Sequence, residues 1–140
     1  MNNLIITDSP ELLEDQALIK IDSKKCKSLR EFYETLAQEL KFPDYFGYNL
    51  DSFDELMNDL SWIEDERILL YFYNSELFLR NERNEKKLTT LLDQLDATCE
   101  DWKYYREDEV EVEEGEEPIP KKELIVAFST SERISEILDM

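Results

Sequence analysis

The stretch Pro43-Asp44-Tyr45-Phe46-Gly47-Tyr48-Asn49-Leu50-Asp51-Ser52-Phe53-Asp54-Glu55-Leu56 joins an aromatic, glycine-containing loop directly to an amphipathic helix. Asn49 is a good N-cap, because its side-chain oxygen can accept from a free backbone N–H of the first turn. Leu50, Phe53, Leu56, Met57 and Leu60 recur at helical spacing and form the apolar face. Asp51, Asp54 and Glu55 fall in the first two turns and are expected on the opposite face. The helix dipole and unpaired N–H groups account for one acid there, but not readily for three. Asp51 and Glu55 stand four apart, a spacing at which like charges repel by about 0.2–0.5 kcal/mol on an isolated helix. The pattern is that of a surface made to meet something basic.

Upstream, Ser28-Leu29-Arg30-Glu31 reads as a capping box that opens a helix to about Leu40, with Leu29, Phe32, Tyr33, Leu36 and Leu40 inward. Phe42-Pro43 stops it, since the residue before proline is pushed out of the helical region. Before that helix, Ala17–Ile21 predicts a strand ending at the turn signal Asp22-Ser23. The first sixteen residues are an extension in which Leu4-Ile5-Ile6 fits a short edge strand. Within it, Ser9-Pro10-Glu11 fits a helical turn with proline at its first position. Downstream, Arg67–Tyr73 is a nearly continuous apolar run suited to a central strand, and Lys122–Phe128 is another. Glu85–Leu95 predicts a helix with Leu88, Leu91, Leu92 and Leu95 inward. Ser129-Thr130-Ser131-Glu132 caps a short closing helix over 129–140 carrying Ile134, Ile137 and Leu138.

Strands that alternate with helical stretches require helical crossovers. The expected fold is therefore α/β: one domain over residues 1–140 with a three-stranded, mostly parallel sheet and packed helices. Residues 100–121 form an acidic insert before the last core strand. From Glu100 to Glu117 ten acids face only Lys103 and Arg106. Such a block reads as a solvated loop. Alternatively, because Val110 and Val112 alternate with acids, it reads as a hairpin turning near Gly115 that extends an acidic binding face.

The net charge of −19, from 35 acids and 16 bases, argues against direct binding to nucleic acid phosphates or to anionic membranes. It leaves open a basic protein, a cationic ligand or a divalent metal as partner, or an acidity that serves only to keep the protein soluble. Apolar residues make up 41% of the chain, enough to fold despite the charge. The absence of histidine removes Ser-His-Asp and Cys-His catalysis and histidine-based zinc sites. Cys26 and Cys99 belong to no CxxC pair and read as reduced, partly buried thiols of a cytosolic protein. With Gly47 and Gly115 as its only glycines, the chain lacks a phosphate-cradling loop. It reads as cytoplasmic and non-enzymatic, with no cofactor or metal expected and its oligomeric state open.

The Pro43–Leu56 motif resembles the signature of the barstar family, intracellular inhibitors of secreted bacterial ribonucleases. The element order from Ala17 to Phe128 resembles the family's fold as well. The resemblance implies that Tyr45 packs against the enzyme and that Gly47 and Asn49 shape the loop. It implies that Asp51 and Glu55 occupy the place of substrate phosphate, and that Glu85 pairs with an enzyme arginine. Two departures stand out: Asp54 replaces barstar's own tryptophan, and Glu55 replaces a shorter aspartate. The added methylene matters because a displaced charge in a desolvated pair still carries its desolvation cost.

Two functions follow as expectations. The first is an inhibitor that blocks the active site of a basic ribonuclease through Tyr45, Gly47, Asn49, Asp51, Asp54, Glu55 and Glu85. The second is a protein-interaction or regulatory module of the same fold with a non-ribonuclease partner. A carboxylate enzyme or metal protein is the weakest alternative, since no EF-hand spacing occurs and no cysteine or histidine assists.

Overall fold

In the computed structural model, residues 1–13 and 17–139 are described. Residues 14–16 of the N-terminal extension, and Met140 of the closing helical stretch, lie outside the described part. The chain forms β1 (Leu4–Ile6), β2 (Ala17–Asp22), α1 (Leu29–Glu39), α2 (Leu50–Met57), β3 (Arg67–Tyr73), α3 (Lys86–Tyr104), β4 (Glu123–Phe128) and α4 (Glu132–Leu138). The sheet is parallel throughout, in the order β1-β4-β3-β2. It has four strands rather than three: Leu4, Ile5 and Ile6 pair with Val126, Ala127 and Phe128. A three-residue strand has too little pattern of its own, and only its partner fixes it.

One face of the sheet carries the main core. Ile68, Leu70 and Phe72 of β3, with Leu124, Val126 and Phe128 of β4, meet Phe32 and Leu36 of α1, Phe53, Leu56 and Met57 of α2, and the α3 stripe. Phe72 and Phe128 stack at 5.2 Å, while Phe78 meets both edge-on. The other face holds a smaller cluster of Leu69, Tyr71 and Ala127, against which Ile5, Leu13 and Ile125 pack. The 3-10 turn Pro10–Leu12, with proline at its first position, crosses on that side, where Tyr71 Oη donates to the Thr7 carbonyl at 2.9 Å.

Several expected boundaries shift for local reasons. α3 runs nine residues past Leu95 to Tyr104, so the first five residues of the expected insert are helical. Thr98, Cys99 and Trp102 continue the buried stripe of Leu88, Leu91, Leu92 and Leu95 beneath the outward acids. Trp102 Nε1 donates to the Met57 carbonyl at 2.9 Å, locking the far end of α3 to α2. No strand forms among residues 105–122, so the hairpin alternative is replaced by a 3-10 turn (Glu107–Glu109) and a turn at Gly115. There the Glu116 N–H donates to the Glu113 carbonyl at 3.0 Å, and Gly115 takes a left-handed φ of 89°.

The helix caps also differ in detail. Ser28 caps α1 by accepting from the Glu31 N–H at 3.1 Å, but the Glu31 carboxylate accepts from the Ser28 hydroxyl. The Leu29 N–H donates instead to Glu82, across the fold, at 2.9 Å. At α4 the cap is Ser131 rather than Ser129. The Ser129 hydroxyl lies 2.8 Å from that of Ser75. Cys26 and Cys99 are free and buried, and burial pushes both thiols up to about 12, which keeps them protonated and unreactive.

Candidate functional site: the aromatic loop and the start of α2

After α1 the chain folds back along that helix, and its aromatic side chains anchor it. Phe42 meets Phe46 at 4.9 Å and Trp62 at 6.0 Å, while Trp62 Nε1 donates to the Leu40 carbonyl at 2.8 Å. Phe46 is buried against Tyr33 at 6.0 Å, as a core residue of an extended loop should be. Its neighbour Tyr45 points the other way and is 68% exposed. A large aromatic held outward by a buried neighbour leaves its ring face to solvent.

The loop closes onto α2 through three short hydrogen bonds. Asn49 Oδ1 accepts from the Ser52 N–H at 2.9 Å, which is the N-cap. Asn49 Nδ2 donates to the Gly47 carbonyl at 3.1 Å, and the Gly47 N–H donates to Ser52 Oγ at 2.9 Å. The frame explains Gly47 differently from a simple turn glycine. The left-handed residue is Tyr48, at φ 52°, an uncommon conformation for a bulky side chain. Gly47 is required for space, because a Cβ there would sit 2.8 Å from Asn49 Nδ2. Tyr48 is steadied by the Phe46 ring at 4.7 Å and by the Arg30 guanidinium 4.5 Å above its own ring. Sequence reasoning missed Ser52, Tyr48 and Arg30 as parts of this frame. The Asn49–Ser52 spacing, cap to third helical residue, was the available signal.

The three acids of α2 separate in the fold. Asp51 and Glu55 are exposed, and among the described residues neither forms an ion pair. Asp54 does not share their face. It is half-buried against α3, where it accepts from Asn58 Nδ2 at 3.0 Å and from Gln94 Nε2. Burial raises its pKa first, then the nearby Asp101, with Asn58 opposing and Asp51 adding. Asp54 thus serves the α2–α3 contact, and its charge works against the fold.

Glu85 is also set apart. It precedes α3 with helical backbone and makes no side-chain cap bond; Asn84 Oδ1 accepts from the Lys86 N–H instead, at 3.0 Å. Glu85 lines an open crevice of about 660 Å³ between α3 and α4, with Arg80, Glu82 and Arg133. Burial and Arg80 hold the Arg133 pKa below the ordinary arginine value, and Glu85 offsets them. The smaller cavity between the starts of α1, α2 and α3, about 290 Å³, is lined by Leu50, Lys86 and Lys87. Tyr45, Gly47, Asn49, Asp51 and Glu55 therefore share one continuous piece of chain and surface, whereas Glu85 opens onto a different hollow. Among the described residues no cluster of acids or thiols is placed to hold a metal ion.

The family model for barstar, described as the barnase inhibitor, matches residues 16–114. The chain belongs to the barstar family. The match takes in β2 through α3, including the whole aromatic loop and α2, and ends within the acidic segment before β4. No curated protein matches the chain significantly. Among the described residues no helix is long and apolar enough to cross a membrane.

Proposed function

We propose that this protein is an inhibitor that binds a basic ribonuclease and blocks its active site with the start of α2 and the loop before it. One observation carries the reading. Asp51 and Glu55 stand exposed and, among the described residues, unpaired on a helix whose first turn is locked by the Asn49–Gly47–Ser52 frame, which follows the outward Tyr45. Two carboxylates one turn apart offer anionic oxygens to a site built for phosphates, and the rigid frame limits the ordering cost of binding. Their unrelieved repulsion is removed when cationic groups of the partner pair with them. The acidic surface also speeds encounter with a basic partner and makes the rate fall with salt.

Within this reading Tyr45 is the aromatic anchor, Gly47 and Asn49 hold the frame, and Asp51 and Glu55 are the central contacts. Asp54 acts from behind by fixing α2 against α3. Glu85 takes part only with a partner broad enough to reach the crevice beside α4.

The test is titration of the purified chain into basic secreted ribonucleases, following cleavage of an RNA substrate. Stoichiometric, RNA-competitive loss of activity is expected, weakening as salt rises. Absence of inhibition across a panel of such enzymes, with binding to a basic protein of another class, would turn the assignment to the interaction-module alternative.

A further inference from the structure

Among the described residues the sheet leaves one edge open, and a segment of strand-like sequence pairs with no strand. β2 ends the sheet on the side away from β3, and among the described residues no backbone hydrogen bond reaches its outer edge. Its residues alternate between Ile19 and Ile21, which join the main core, and Leu18 and Lys20, which are exposed. From Lys20 to Arg30 the sequence holds Lys20, Lys24, Lys25, Lys27 and Arg30 against Asp22 alone, a basic strip in a chain of net charge −19. Lys20, Lys24, Lys25 and Arg30 are exposed.

The second half of the match is Glu109-Val110-Glu111-Val112-Glu113. It has the period-2 alternation of a strand with one apolar and one charged face. Val110 has extended backbone (φ −80°, ψ 128°), yet Val110 and Val112 are 40% and 43% exposed. The ends of the loop are fixed. Lys121 Nζ donates to the carbonyls of Trp102, Lys103 and Tyr105 at 2.8–3.1 Å, and Tyr105 Oη donates to the Ile119 carbonyl at 2.5 Å. The Glu109 N–H donates to the Arg106 carbonyl at 3.1 Å and the Glu113 carbonyl accepts from the Glu116 N–H at 3.0 Å, while among the described residues no backbone hydrogen bond engages residues 110–112 between them.

We propose that Glu109–Glu113 of one copy adds as a strand to the open edge of β2 in a second copy. The valines then lie beside Ala17 and Ile19, and the glutamates meet Lys20, Lys24 and Lys25. Backbone pairing supplies attraction, and the alternating charge sets the face. The two surfaces differ, so the contact is head-to-tail and does not close on itself as a two-fold dimer does. At physiological ionic strength the Debye length is about 8 Å, so distant acids of the two copies repel weakly while groups in contact keep their attraction. This inference is independent of the proposed function, because Asp51 and Glu55 take no part in it.

Sedimentation velocity at physiological salt, from low micromolar to near-millimolar chain, tests it with two surface variants. One carries Val110→Lys and Val112→Lys and has a defective segment. The other carries Lys20→Glu, Lys24→Glu and Lys25→Glu and has a defective edge. The expected result is that the parent chain forms a concentration-dependent series beyond the dimer, each variant alone stays monomeric, and a mixture of the two gives a discrete 1:1 complex. In that mixture one intact edge meets one intact segment. Circular dichroism confirms that both variants remain folded. A parent chain monomeric throughout, or variants that associate as the parent does, or a mixture that stays monomeric, would overturn the proposal.

Discussion

The aromatic loop with the start of α2 and the segment of residues 105–121 are both acidic and both carry exposed aromatic or apolar side chains, but they are built differently. In the first, hydrogen bonds and a buried ring fix the chain that leads into the charged pair: Asn49, Gly47 and Ser52 close the frame, and Phe46 is buried beside Tyr45. In the second, Lys121 and Tyr105 fix the ends and the acids between them are exposed. The second region holds more charge, yet it is the first that is rigidly framed and that we propose as the recognition surface. Charge sets the sign of a partner, and the frame beneath it sets the shape.

The largest effect expected from breaking this contrast lies under the second region. Trp102→Ala removes a buried ring and its bond to the Met57 carbonyl. It should lower unfolding free energy in urea by about 3–5 kcal/mol. A loss of a few tenths would place Trp102 in the loop rather than in the core.

Next comes the frame of the first region. Gly47→Ala drives a methyl into Asn49 Nδ2 and disturbs the cap. The expected cost is about 1 kcal/mol of stability, the ordinary worth of an N-cap. Partner affinity, measured by calorimetry, should fall by more than that loss of stability, because the cap orients Asp51 as well as the helix. Equal losses would reduce Gly47 to a structural role.

The smallest effect concerns Asp54. Its folded pKa lies above the ordinary 3.8, so as pH rises the unfolded chain releases this proton first. Over the window from 3.8 up to the raised value, the folded state holds more protons and stability falls with rising pH. Above both values the full penalty persists. Asp54→Asn keeps an acceptor for Asn58 and Gln94 without the charge. It should raise the melting temperature slightly at neutral pH, and the gain should vanish below pH 3.8. A lower melting temperature at neutral pH would show that the carboxylate is needed.

The same contrast explains what the sequence disclosed. Continuous apolar runs over Arg67–Tyr73 and Lys122–Phe128 mark buried parallel strands, and the Ser28 and Asn49 caps mark the starts of α1 and α2. The aromatic loop was legible because its residues act within a few positions of one another. What was hidden depends on distant partners. The edge strand expected at Leu4-Ile5-Ile6 does form, but its place beside β4 was not legible, and Asp54 turns inward to accept from Gln94, 40 residues away. Glu85 faces α4 rather than α2, which no local pattern encodes. The second half of α3 was obscured by its acids, although Thr98, Cys99 and Trp102 kept the helical period underneath. Gly47 was legible as necessary but not why: the left-handed turn belongs to Tyr48, and the glycine makes room for Asn49.

The most direct measurement compares the affinity of a basic ribonuclease for three chains side by side: the parent, Asp51→Ala with Glu55→Ala, and a deletion of residues 107–117. Inhibition by an α2-centred surface predicts that the double substitution abolishes tight binding while leaving the fold and its stability intact, and that the deletion binds close to the parent. Retained tight binding by the double variant, with loss in the deletion, would contradict it and move the interface to the acidic segment.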